Sequence, residues 1–150
     1  MGAMRIRAVA LLIQNESIAV MERHRGGRHY FTFPGGGVDK GESDEQAAVR
    51  EAEEELGIHV EVVQKAATIL REGRRDQVYF VVRWVDGEFG TGTGEEYGEV
   101  DPEHGTYQPL WMPLEEVLDK NVVPRGLAEL TVKSHREGWG ESTIIHEEYK

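Results

Sequence analysis

Apolar positions change period along this chain, and each change marks an element. Residues 4 to 13, MRIRAVALLI, alternate at first and then run continuously apolar. That pattern predicts a strand whose second half is buried on both faces. Asn15 and Glu16 interrupt it as a turn, and Ser17 to Glu22 resumes as a second strand, so the pair reads as a hairpin. Residues 23 to 29, RHRGGRH, are polar and read as a basic loop. Tyr30 to Phe33 is a short strand that runs into the glycine turn FPGGG, residues 33 to 37.

From residue 44 the period lengthens to that of a helix. Ser43 can cap it, Gln46 completes a capping box, and Gly57 stands where a helix ends, which brackets residues 44 to 56. At about 100° per residue, Ala48, Val49, Ala52 and Leu56 share one face, the expected core face. Beyond the helix, Ile58 to Leu70 and Gln77 to Val85 read as long strands joined by the charged hairpin loop of residues 71 to 77, in which Arg74 and Arg75 read as solvated. Residues 86 to 105 are a long loop rich in Gly and acid. Tyr107 to Trp111 reads as a strand and Leu114 to Leu118 as a short helix after Pro113. Pro124 opens another helix with Leu127 and Leu130 facing inward, and Thr143 to Ile145 is a last strand or tail. Strands on both sides of a central amphipathic helix, with helices near the C-terminus, imply an α/β or α+β sandwich.

The helix carries a conflict. Glu51, Glu54 and Glu55 are spaced i, i+3, i+4, so the spacing predicts that the three carboxylates meet. Like charges at that spacing cost about 0.2–0.5 kcal/mol per pair. Carboxylates in the last turns also oppose the helix dipole. A rule broken without a local gain marks a functional site, here one that wants a cation. Ligands that are all oxygen select a hard ion: Mg²⁺, Mn²⁺ or Ca²⁺. A solvated acidic face is the plain alternative, and the glycines just upstream weigh against it.

Composition narrows the partners. The formal net charge of −11 argues against a nucleic-acid polymer or an anionic membrane. A polyanionic substrate would then need metal ions and local arginines. Arg23, Arg25 and Arg28 are the densest such patch, and forked guanidinium groups match phosphate oxygens. The spacing of His24 and His29 suggests no joint metal site, and both read as surface or hydrogen-bonding residues. The absence of cysteine fits a reducing compartment, and the cytoplasm is expected. The 150 residues read as one domain, with residues 1 to 3 a short addition before Met4.

Glycine loop and helix together spell G-x5-E-x7-R-E-U-x-E-E-x-G-U, where U is apolar, filled by Gly36, Glu42, Arg50, Glu51, Ala52, Glu54, Glu55, Gly57 and Ile58. This resembles the signature of the Nudix hydrolases. The resemblance implies an α/β/α sandwich with a mixed sheet, Mg²⁺ or Mn²⁺ as cofactor, and hydrolysis of a nucleoside diphosphate linked to X. It also implies Glu51, Glu54 and Glu55 as metal ligands with the Gly36 carbonyl beside them, Arg50 orienting Glu51, and Glu42 in the metal environment. Gly35, Gly36 and Gly37 would line the substrate. Glu96 in the acidic loop is the implied general base, ahead of Glu95, Glu99 and Glu88, because GTGEE resembles a family pattern at that place. Several members keep the base on the helix instead. The ADP-ribose subclass carries a proline where this chain has Gly73 and Arg74, the dinucleoside polyphosphate tyrosine has only Tyr79 near its place, and the coenzyme A motif is missing. Elimination leaves nucleoside triphosphates, damaged ones included. A homodimer is implied by the resemblance alone. The rival reading is a nucleotide-binding module on the same fold without activity. Tyr30, Phe31, Trp84, Phe89 and Tyr97 are candidates for stacking on a base.

Overall fold

The computed structural model describes residues 6–91 and 106–147. The order is β1 (Arg7–Gln14), β2 (Ser17–Arg25), β3 (Arg28–Thr32), β4 (Gly35–Gly37), α1 (Asp44–Leu56), β5 (Ile58–Arg71), β6 (Gln77–Gly87), β7 (Thr106–Pro113), a single 3₁₀ turn (Leu114–Glu116), α2 (Arg125–Glu137) and β8 (Thr143–Glu147). The sheet runs β3-β2-β1-β6-β5-β8, with β4 also on β1 and β7 also on β2. It is mixed: β1–β6 and β5–β8 are parallel, and the other pairs are antiparallel.

Apolar side chains of β1 divide between two cores, as alternation requires. Ala8, Ala10 and Leu12 pack with Ala47, Ala48, Ala52 and Leu56 of α1. Val9 and Leu11 pack with Leu127, Ala128 and Val132 of α2. The result is the α/β/α sandwich. Alanines on both the helix and the strand let α1 lie close against β1, and that closeness brings its glutamates to the glycine strand.

One edge of β1 is shared between two partners. Its start pairs with β4, Ala8 opposite Gly36, whereas β2 joins only at the far end, Ile13 opposite Ile18. Beyond that point β2 leaves β1 and pairs with β3 and β7. The sheet therefore forks next to the glycines. A turn was expected at Gly35 to Gly37; instead they form a short strand. The Gly35 position explains this: a Cβ there would fall within 3.0 Å of the Ala8 carbonyl oxygen and the Val9 Cα, so only glycine lets the two backbones pair so tightly.

The helix matches expectation end to end. Ser43 Oγ accepts from Gln46 N–H, Gln46 Oε1 accepts from Ser43 N–H, and Gly57 closes the helix at φ 80°. One position on it differs. Val49 is only partly buried, and Glu55 takes a buried place beside Ala47, Ala48, Ala52 and Leu56.

The basic loop is a second correction. β2 continues to Arg25, β3 starts at Arg28, and Gly26 and Gly27 alone make the turn, at φ 56° and 77°. Two residues with positive φ form the hairpin turn whose twist suits the strands it joins. Pairing is therefore His24 with His29 and Arg25 with Arg28. The patch splits across the sheet. Arg23 and Arg25 follow Ala19 and Met21 on the α1 side, whereas Glu22 and His24 follow Ile18 and Val20 on the α2 side.

Candidate active site at the glycine strand and signature helix

Arg50 is the centre of the site. Its Nε and Nη2 form a fork on Glu42, donating to Oε2 at 2.8 Å and Oε1 at 3.0 Å. Nη2 also donates to the Gly37 carbonyl at 3.0 Å and lies 3.4 Å from Asp39 Oδ2. Nη1 donates to Glu51 Oε1 at 3.0 Å and to Glu54 Oε2 at 3.2 Å. One guanidinium thus ties the glycine strand, the loop after it and two helix carboxylates together, which its planar set of donors allows and an ammonium would not. Glu42 also accepts from the Asp39 N–H at 3.0 Å, closing the loop into the helix.

Charge follows this geometry. The Arg50 hydrogen bond holds the Glu42 carboxyl below its ordinary range against the opposing effect of burial, and Glu42 in turn holds Arg50 far above its own. Glu51 is pushed up, first by burial, with Glu54 adding to this and Arg50 and Arg7 opposing it. Arg7 was missed by the sequence reading: it begins β1 opposite Gly37, a neighbour that only strand pairing reveals. Its Nη2 donates to the Phe33 carbonyl at 3.2 Å.

Glu51 rests on Gly36. A Cβ at Gly36 would lie within 3.0 Å of the Glu51 carboxylate, so the missing side chain is what admits the acid to the strand backbone. Glu54 is the most accessible of the three, with 42% of its side chain open to solvent, and shares Arg50 with Glu51. Glu55 does not join them. It is buried, and its Oε2 accepts from the Gly35 N–H at 2.8 Å. The expected meeting of three carboxylates is therefore a pair plus a third turned inward. The cation that the helix conflict called for is supplied in part by the protein, as Arg50.

Donors that could hold a divalent cation are all oxygen: Glu51, Glu54, Glu55 and the carbonyls of the glycine strand. Such a set suits Mg²⁺ or Mn²⁺. Glu51 supports the fit, because a carboxylate kept close to backbone and largely out of water gains most from a neighbouring cation.

The acidic loop follows β6, and its first residues are tied to the end of the helix. Gly90 N–H donates to the Leu56 carbonyl at 2.8 Å, and Thr91 Oγ1 lies 3.4 Å from that of Gly57. Glu88 and Phe89 are in this anchored part; Glu95, Glu96, Tyr97, Glu99 and Glu103 lie outside the described residues. Phe89 stacks on Trp111 at 4.7 Å, and Trp84 stacks on Trp111 at 6.0 Å. Phe31 belongs to the α2-side core. The arginines lie on the β2–β3 hairpin. The Arg23 guanidinium lies 3.5 Å from the centre of the Tyr107 ring, and that of Arg28 lies 5.0 Å from Tyr30. Arg25 is exposed.

The Arg50 hub makes its own prediction. Arg50→Lys keeps the charge and loses the fork. It is expected to lower stability by about 1.5–3 kcal/mol, the range for hydrogen bonds to charged groups. Urea denaturation without added divalent metal reads this, and an unchanged midpoint would make Arg50 a bystander.

A mixed-sheet α/β/α sandwich whose glycine strand receives the carboxylates of a capped helix defines a loop-helix hydrolase scaffold. The chain belongs to the NUDIX family: the NUDIX domain model matches residues 4–131. Hydrolases of this family generally use divalent metal ions. Among curated proteins, the chain is 48% identical over 60 residues to an RNA pyrophosphohydrolase of Shewanella piezotolerans, covering 40% of this chain and 35% of that one. It is 38% identical over 76 residues to one of Psychromonas ingrahamii, covering 51% and 42%. The match thus spans less than half the length of these relatives. In fold it resembles an ADP-ribose pyrophosphatase of Streptococcus suis, with TM-score 0.69, 19% identity, and 95% and 99% of the two chains covered. It resembles a MutT protein of Bacillus halodurans similarly, with TM-score 0.68, 17% identity, and 98% and 91% covered. No helix among the described residues is long and apolar enough to cross a membrane.

Proposed function

We propose that this chain is a Mg²⁺-dependent pyrophosphohydrolase that cleaves a phosphoanhydride bond in a nucleoside diphosphate linked to X, with nucleoside triphosphates as the leading substrates. The observation that carries this reading is the Glu51 carboxylate seated on the Cβ-free backbone of Gly36, with Glu54 beside it on Arg50. Glu51, Glu54 and Glu55 would hold the metal, which when bound would neutralise phosphoryl charge and make water more acidic. The chain's own part is placement. Arg50 fixes Glu51 and Glu54 relative to the glycine strand, Glu42 fixes Arg50, and Gly35 N–H fixes Glu55. Glu96 is the candidate base.

A second reading shares the chemistry and differs in the size of the substrate. The curated relatives are named RNA pyrophosphohydrolases, which favours a 5′-triphosphate end of RNA as substrate. The net charge of −11 disfavours extended contact with a polyanion, so any RNA substrate would be held at its end. A panel of nucleoside triphosphates, ADP-ribose and 5′-triphosphorylated RNA, with and without Mg²⁺, decides between them. No hydrolysis of any member, read as phosphate or pyrophosphate release from the triphosphates and as AMP from ADP-ribose, would leave the module without activity as the better reading.

Arg25 is proposed as a phosphate contact. Arg25→Ala is expected to raise KM for the triphosphate with kcat nearly unchanged, because such contacts bind ground and transition states alike. Arg23→Ala is a poorer probe, since it also strips the packing on Tyr107. Unaltered KM in Arg25→Ala would return the hairpin arginines to the role of solvated charge.

A further inference from the structure

The two histidines that the arginine hairpin carries on its other face are not scattered surface groups. Gly26 and Gly27 make the whole turn, so His24 and His29 stand directly opposite each other. Their rings stack at 4.2 Å, inclined by 3°. Glu22 lies two residues before His24, on the same face of β2. Its Oε2 is 2.7 Å from His29 Nε2 and 3.8 Å from His24 Nε2. Among the described residues these three form the set of potential metal ligands whose donor atoms all lie within 4.8 Å of one another.

We propose that Glu22, His24 and His29 form a binding site for a divalent transition ion of the zinc type, separate from the carboxylates of α1. The chemistry of the donors separates the two sites. Imidazole nitrogen suits zinc and its neighbours, whereas Mg²⁺ prefers all-oxygen sets. The spacing agrees. A tetrahedral ion with bonds of about 2.0–2.1 Å keeps its ligands roughly 3.3 Å apart. The separations of Glu22 Oε2 from the two nitrogens, 2.7 and 3.8 Å, fall on either side of that. Two nitrogens and one oxygen leave the fourth position open to water.

The scaffold is held in place. Asn121 Nδ2 donates to the His29 carbonyl at 3.2 Å, and Phe31 N–H donates to the Asn121 carbonyl at 2.9 Å, so segment 121–123 fastens the outer edge of β3. An ion bound here would clamp β2 to β3 beneath Arg23, Arg25 and Arg28. Bound only to the folded chain, it would also raise the melting temperature.

The test is calorimetric titration of Zn²⁺ into chelator-stripped protein in excess Mg²⁺, with melting temperatures measured alongside. One equivalent of zinc is expected, with a rise in melting temperature. Both should be lost in His24→Ala and in His29→Ala and weakened in Glu22→Gln. Glu54→Gln on the signature helix and His59→Ala, whose histidine has Glu53 and Asp86 nearby, should still take up the ion. No zinc uptake by the unaltered protein overturns the proposal. So does uptake that survives both hairpin histidine variants, or uptake that disappears with Glu54→Gln or His59→Ala.

Discussion

Glu54→Gln is expected to cut turnover of a triphosphate by more than the roughly 10–100-fold that follows loss of a mere supporting partner of a metal ligand. Glu54 is the most accessible of the three helix carboxylates, and among the described residues its anchor is Arg50. Its removal therefore takes away a candidate ligand and little packing. Mg²⁺ affinity should fall with turnover, and the metal-free fold should be as stable as before. Glu55→Gln is less clean. Glu55 is buried on the Gly35 N–H; glutamine keeps one acceptor oxygen for it but puts a new amide NH2 into a buried place, where an unpaired donor costs about 1–3 kcal/mol. Relief of helix repulsion alone would leave either variant no less stable; for Glu55 the tertiary contact outweighs it. Glu96→Gln supplies the contrast: single-turnover kcat should drop while Mg²⁺ affinity holds. Normal hydrolysis by Glu54→Gln and Glu55→Gln would sink the metal assignment. Normal kcat in Glu96→Gln, with Glu51→Gln inactive but still binding metal, would put the base on the helix.

Alanine at adjacent glycines should separate fold from function. At Gly35 the new Cβ meets backbone on β1, which cannot step aside, and the strand that receives Glu55 must shift. Overpacking of this kind costs about 1–3 kcal/mol. At Gly36 the new Cβ meets the end of the Glu51 side chain, which can rotate away. Gly36→Ala is therefore expected to fold with nearly unchanged stability and to lose turnover about as completely as Glu51→Gln. Denaturation midpoints and kcat, measured together, check the pair. Equal destabilisation with activity retained in Gly36→Ala would mean that the seat of Glu51 on the strand is not used in the reaction.

Signals that live within a few residues were legible in the chain alone. The capping box at Ser43 and Gln46, the left-handed stop at Gly57 and the turn at Asn15–Glu16 all depend on neighbours within about one helical turn. The spacing of Gly36, Glu42, Arg50, Glu51, Glu54 and Glu55 likewise pointed to the family, because a helix and its preceding loop put them near one another with no help from the rest of the fold.

The remainder needed partners distant in sequence. Glu55 reads as one of three equal acids on a helix, and only the pairing of β4 with β1 gives it the Gly35 N–H. Arg50 reads as a partner that orients Glu51, and only the folded loop lets it reach five groups. The hairpin lies between these cases. Its two-glycine turn is a local signal that predicts His24 opposite His29, once residues 23 to 29 are taken as strand rather than loop. What local sequence could not supply is the sheet that divides this segment, with arginines on the α1 side and Glu22 and the histidines on the other. A side chain's face is set by strand alternation, but which core each face meets is set by packing between elements far apart in the chain.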